Sequence, residues 1–153
     1  MDISMLMDQS NIFFDLDLKS KQEVFEFLAK HFLTSGYISS KEAYIKAVEY
    51  RETLSETGLG EGIAIPHGKD ASVVKAGIAF VRLKQPIIEW ESMDDAPVQY
   101  VFLLAIPEKG EANEHIRMIS ELARKLIHHE VIQAIKQAAN AQALLTVFKK
   151  ESE

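Results

Sequence analysis

At 153 residues, with 47% apolar and 26% charged side chains, the chain fits one globular domain of ordinary size and not a disordered segment. A net charge of −6 argues against a nucleic-acid surface, and the lack of cysteine excludes a disulfide framework, a thiolate zinc site and a thiol nucleophile. The start "MDISMLMDQS" has no basic segment or long apolar run of the kind a secretory signal carries, and the apolar run "VFLLAIP" from Val101 is far too short to span a bilayer, so a cytoplasmic protein is expected.

In chain order, "NIFFDL" (Asn11 to Leu16) reads as a short strand. Ser20 followed by Glu23 is a capping-box pattern, and Val24, Leu28 and Phe32 then fall on one helical face before Gly36 stops the helix. Ser39 and Glu42 repeat the device, opening a second helix with Tyr44, Ile45 and Val48 as its apolar stripe and its end between Arg51 and Leu54. "GIAIP" reads as a strand leading out to His67. "AGIAFVRL" and "VQYVFLLAIP" read as buried strands, with a short strand and a turn expected in "PIIEWESMDDAP" between them. Asn113 is expected to cap a helix in which His115, Ile119, Leu122 and Leu126 share a face. "HEVIQAIKQA" and "NAQALLTVFKK" close the chain as two short amphipathic helices. The order predicts an α/β domain with a mixed sheet covered by helices, a single domain over residues 1–153.

The stretch "GLGEGIAIPHGK" concentrates three glycines at alternate positions, then a proline and a histidine. Glycine permits positive φ and close approach, which suggests a backbone that holds an anion. It is not a Walker loop: the spacing from Gly62 to Gly68 is one residue too long, and Asp70 stands where a hydroxyl residue is needed. Pro66 stiffens the lead-in, and Gly68 is expected to leave the imidazole of His67 uncrowded. An accessible, largely unprotonated imidazole can carry a phosphoryl or acyl group, although a histidine in a loop is also commonly just a loop residue. His115 lies in the first turn of its helix, where free N–H groups favour an anion. Arg51 lies at a helix C-terminus, where a cation is favoured for structural reasons alone. His128 and His129 are expected to face solvent at a helix junction, and His31 has no evident partner. A metal site built on His67 and His115 would lack a third ligand, so no metal or cofactor is expected.

"TGLGEGIAIPHGK" closely resembles the active-site segment of the fructose- and mannitol-type enzyme IIA domains of the bacterial phosphotransferase system. "YRETLSETG", "IEWESMDDAPVQYVFLLAIP" and "EHIRMISELARKL" resemble the flanking blocks of the same family, so the likeness covers nearly the whole chain. The resemblance implies a three-layer α/β/α fold with a mixed β-sheet. It implies that His67 receives a phosphoryl group from the carrier HPr and passes it to a cysteine of enzyme IIB, which phosphorylates sugar brought in by the membrane enzyme IIC. It assigns His115 and Arg51 to the same site, as groups that stabilise the phosphoryl charge. "MDD" stands where family members often have "LDG", which puts Asp95 in a turn position usually given to glycine. Because the chain has no cysteine, an acceptor of that kind must lie outside it. Ile63, Ile65, Ile116 and Ile119 are expected to form an apolar docking surface around His67 or the packing beneath it. Two other readings share the motif: a regulatory, nitrogen-type enzyme IIA that acts by binding proteins, and a non-enzymatic anion-binding module.

Overall fold

The computed structural model describes residues 2–110 and 114–149. The expected cap Asn113 lies outside these residues. Strand β1 spans Met7–Leu16 and is longer than its apolar core suggests, because its first residues pair along β5, Gly77–Ile87. β6, Val98–Pro107, matches the expected limits, since a proline ends an uninterrupted apolar run. No separate strand forms in "PIIEWESMDDAP": Pro86 and Ile87 extend β5, and the rest is a turn that buries Trp90.

Helix α1, Lys21–Thr34, opens on Ser20, whose hydroxyl accepts from Glu23 N–H. It ends in a Schellman turn: Tyr37 N–H bonds to Phe32 C=O and Gly36 N–H to Leu33 C=O, with Gly36 at φ +85°. Helix α2, Lys41–Leu54, is capped by Ser40 and not by Ser39. Ser39 is used elsewhere, donating from its N–H and its hydroxyl to Ser72 C=O. The glycine-rich stretch supplies three short strands: β2 (Gly58–Gly60), β3 (Ile63–Ala64) and β4 (His67–Asp70). Helices α3 (Glu114–Leu126), α4 (His129–Gln137) and α5 (Ala141–Phe148) follow.

The sheet order is β1-β5-β6-β3-β2, and β4 also pairs with β6, beyond β3. β1 runs parallel to β5, β5 antiparallel to β6, and β3 and β4 parallel to β6, so the sheet is mixed as expected. β6 shows why three layers form. Its alternate residues Val101, Leu103 and Ala105 pack with Phe32, Tyr44 and Val48 of α1 and α2. The intervening Phe102, Leu104 and Ile106 pack with Met118, Leu122, Ile135 and Phe148 of the C-terminal helices. The period of two along a strand sends one set to each face, and both faces are dry. Burial of each of the larger of these side chains contributes about 1.5–3 kcal/mol. Among the described residues no helix is long and apolar enough to cross a membrane.

Candidate active site around His67

The glycines come first, because they position everything after them. Glu61 and Gly62 both lie at positive φ, 59° and 78°, between the paired residues Gly60 and Ile63. That is a two-residue β-hairpin turn, in which two consecutive left-handed residues match the twist of the strands. Gly60, at φ +102°, also lies in the left-handed region. A Cβ on Gly58 would sit 2.6 Å from Glu91 C=O, so Gly58 lets the 91–92 backbone approach. Asp94 closes the hairpin from outside, accepting from Glu61 N–H and Ala96 N–H. Asp95 does adopt the left-handed conformation, at φ +59°. The turn does not lie beside the imidazole. Ile63 lies beside Tyr100 and His67 beside Leu104, so at about 3.3 Å per residue the turn is roughly 13 Å from the imidazole.

His67 is not at the tip of a loop. It is the first residue of β4, paired with Leu104 of β6, and Leu104 N–H bonds to Pro66 C=O. Gly68 has a different task from the one its neighbourhood suggests. A Cβ there would meet Val48 Cγ2 at 2.8 Å and Tyr44 Cε1 at 3.0 Å. Glycine therefore lets α2 lie tight on β4, and the Tyr44 hydroxyl holds that spacing by donating to Leu104 C=O at 2.7 Å. Arg51 is one turn beyond Val48 on the same helical face, so the tight contact delivers its guanidinium to His67.

Arg51 Nε donates to His67 Nε2 at 3.1 Å, and Arg51 Nη1 donates to Ser55 C=O at 3.1 Å. His67 Nδ1 is 3.2 Å from Ile65 C=O. A carbonyl only accepts and a guanidinium only donates. The proton is thereby assigned to Nδ1, and Nε2 keeps its lone pair. Burial lowers the His67 pKa below the ordinary imidazole value; the bond to Ile65 C=O opposes this, and the positive charges of Arg51 and His115 lower it further. The neutral form is thus favoured. His115, half-buried in the first turn of α3, is close enough to His67 for its charge to act.

Of the expected apolar surface, Ile63 and Ile65 are buried and belong to the packing, Ile119 is partly buried, and Ile116 is 53% exposed. His128 and His129 face solvent as expected. His31 has aromatic neighbours, with ring centroids 4.6 Å from Phe13 and 4.7 Å from Phe27. Sequence reasoning missed Glu52 and Thr57. The buried Thr57 hydroxyl donates to the Glu52 carboxylate at 2.9 Å, and Thr57 C=O accepts from Ile65 N–H at 3.0 Å. A hydroxyl residue just past a helix end, five positions after a glutamate on the last turn, was the available signal.

The sequence model of the family described as "Phosphoenolpyruvate-dependent sugar phosphotransferase system, EIIA 2" matches residues 5–151. The chain belongs to this family. A relative of this EIIA 2 chain is the fructose-specific EIIABC component of Bacillus subtilis, 33% identical over 150 residues, which are 98% of the chain and 23% of that protein. The chain thus spans about a quarter of the length of that relative. Among solved structures, the nitrogen regulatory protein IIA-Ntr of Neisseria meningitidis superposes with a TM-score of 0.87 at 29% identity, covering 96% of this EIIA 2 chain and 99% of that one. The mannitol enzyme IIA of Escherichia coli, in its complex with phosphorylated enzyme IIB, superposes with a TM-score of 0.75 at 28% identity, covering 94% and 98%.

Proposed function

We propose that this EIIA 2 chain is a phosphocarrier in which Nε2 of His67 takes a phosphoryl group from phosphorylated HPr and passes it to a cysteine of an enzyme IIB that serves sugar uptake through a membrane enzyme IIC. The observation that carries the reading is the pair of bonds on the imidazole: Nδ1–H held by Ile65 C=O and an Nε2 lone pair facing Arg51. In the first transfer, the Nε2 lone pair forms a bond to phosphorus while the donor's phosphorus–nitrogen bond breaks and its electron pair returns to the donor ring. The Nδ1 proton stays on its carbonyl bond throughout. In the second transfer a thiolate attacks phosphorus, and the Nε2–P electron pair returns to His67. Arg51 is already at the nitrogen where the phosphoryl oxygens would arrive, and a guanidinium can bind two of them with parallel bonds. His115 approaches from the other face of the sheet and adds a donor. Phosphoryl transfer needs positioning and charge stabilisation more than covalent help, and these groups supply both.

The likeness to the fructose-specific component favours a transport role. The likeness to IIA-Ntr favours a second reading, a regulatory enzyme IIA that keeps the phosphohistidine but acts by binding other proteins. The test is to incubate the protein with phosphoenolpyruvate, enzyme I and HPr, map the label, and then offer fructose-type enzyme IIB with and without its cysteine changed to serine. Label on His67 that moves to the cysteine form alone is expected. Full labelling of His67→Ala would overturn the reading, and phosphate that stays on His67 with every enzyme IIB would favour the regulatory role. Arg51→Ala and His115→Ala should each slow transfer by about a hundredfold with the fold intact.

A further inference from the structure

Resting on the reading of His67 as the phosphoryl acceptor, we infer that Glu52 and Thr57, braced by Lys21, are positioning residues that set the tautomer and orientation of the His67 ring. The Glu52 side chain is only 9% exposed, and Lys21 Nζ from the start of α1 lies 3.3 Å from its Oε1. Lys21 also lies 5.4 Å above the buried ring of Trp90, which steadies it. The fixed carboxylate takes the hydroxyl of Thr57 at 2.9 Å. That bond holds the first residues after α2, and Thr57 C=O in turn accepts from Ile65 N–H at 3.0 Å. The Ile65 peptide is therefore oriented, and its own C=O is the acceptor for His67 Nδ1 at 3.2 Å. Arg51, which meets the other ring nitrogen, is the residue next to Glu52 on the same helical turn. Both bonds on the imidazole thus trace back to the last turn of α2. Neither Glu52 nor Thr57 is bonded to the ring itself. The charged groups acting on the ring are Arg51 and His115.

The arrangement has a chemical purpose. A phosphoryl acceptor at Nε2 needs the proton on Nδ1, and an imidazole free of partners would divide its proton between the two nitrogens. A carboxylate three hydrogen bonds away, itself held by a lysine, fixes the choice without touching the phosphoryl group. Outer partners that orient a histidine and choose its tautomer are a recognised device in metal sites, and here the same logic serves a nucleophile.

The test reads the ring nitrogens of His67 by NMR in the unphosphorylated, 15N-labelled protein at a pH where the ring is neutral. The wild type should show the Nδ1–H form. Thr57→Val keeps the shape and the backbone carbonyl but removes the hydroxyl, and should shift the tautomer ratio towards Nε2–H by roughly three- to tenfold, the change expected from loosening one hydrogen bond. Thr57→Ser should restore the wild-type ratio. Lys21→Met, which breaks only the outermost link, should give a smaller shift in the same direction. A wild-type ratio in both Thr57→Val and Lys21→Met would overturn the inference. If Thr57→Val does not fold, Glu52→Met, which removes the acceptor of the Thr57 hydroxyl, decides by the same measurement: an unchanged ratio overturns the proposal. Because no phosphoryl donor is present, the result is independent of whether transfer to enzyme IIB occurs.

Discussion

At the turn of the β2–β3 hairpin, Gly60 and Gly62 supply backbone conformations; at Gly68, one residue past His67, as at Gly58 in the body of the hairpin, glycine supplies empty space. Gly60 and Gly62 sit at positive φ, where a side chain would be strained. Gly68 has no such φ, and its importance lies in the 2.8 Å and 3.0 Å that a Cβ would leave to Val48 and Tyr44. The two kinds of glycine are separated by only a few residues of one motif. The first kind builds a rim about 13 Å from the imidazole, by the spacing of residues along β6. The second sets how far α2 stands from β4, and so whether Arg51 reaches Nε2. A glycine-rich motif beside a proposed phosphoryl acceptor need not bind anything through its glycines.

Gly68→Ala should separate the two roles most sharply. The added methyl pushes α2 from β4, moves Arg51 away from His67, and slows phosphoryl transfer by up to about a hundredfold, as a misplacement of about 1 Å can. Stability should fall by about 1–3 kcal/mol, the usual cost of overpacking a tight contact. Transfer kinetics and thermal unfolding on the same variant check both numbers, and unchanged transfer would mean that Gly68 does not set the Arg51 contact.

Much of this comparison was hidden in the sequence. The helices and the central strands were legible because their apolar residues repeat at 3.6 or 2, and Pro107 and Gly36 mark ends. The cap of α2 was misplaced by one residue because Ser39 and Ser40 are equally able to cap, and only the distant Ser72 shows which one is already engaged. Of the candidate site residues, His67 came from a long, ordered motif, and Arg51 and His115 from the flanking blocks that resemble the same family. What could not be read was that His67 belongs to a strand, since the ladder that defines β4 is made with Leu104 to Pro107, nearly forty residues away. Glu52 and Thr57 follow no period, and their pairing exists only once the end of α2 has turned back to the sheet.

Gly58→Ala tests the hairpin side. A Cβ 2.6 Å from Glu91 C=O and 2.7 Å from Ser92 Cα meets backbone, which yields poorly. A loss of about 1–3 kcal/mol is expected in denaturant unfolding. Transfer per folded molecule should be unchanged, and a large drop there would bring the hairpin back into the site.

The smallest expected effect is a gain. Asp95 holds a left-handed backbone at φ +59°. Relief of a strain of about 1–2 kcal/mol, offset by about 0.5–1 kcal/mol of extra unfolded-state freedom for glycine, should make Asp95→Gly slightly more stable. A midpoint that moves down instead would show that Asp95 contributes a contact worth more than its strain.

If His67 carries the phosphoryl group as proposed, its pairing with β6 also governs how the protein loses that activity. β6 is a central strand buried on both faces, so its amide hydrogens should exchange with solvent at the rate of global opening and not of local fraying. The amides bonded across the β4–β6 ladder share that fate. A nucleophile carried on the rim of a loop could be disarmed by a small, cheap excursion while the rest of the molecule stayed intact. On this side of the imidazole no such intermediate is expected, because His67 is tied into the β4–β6 ladder. Activity and structure should disappear together on heating or in denaturant, as one cooperative event.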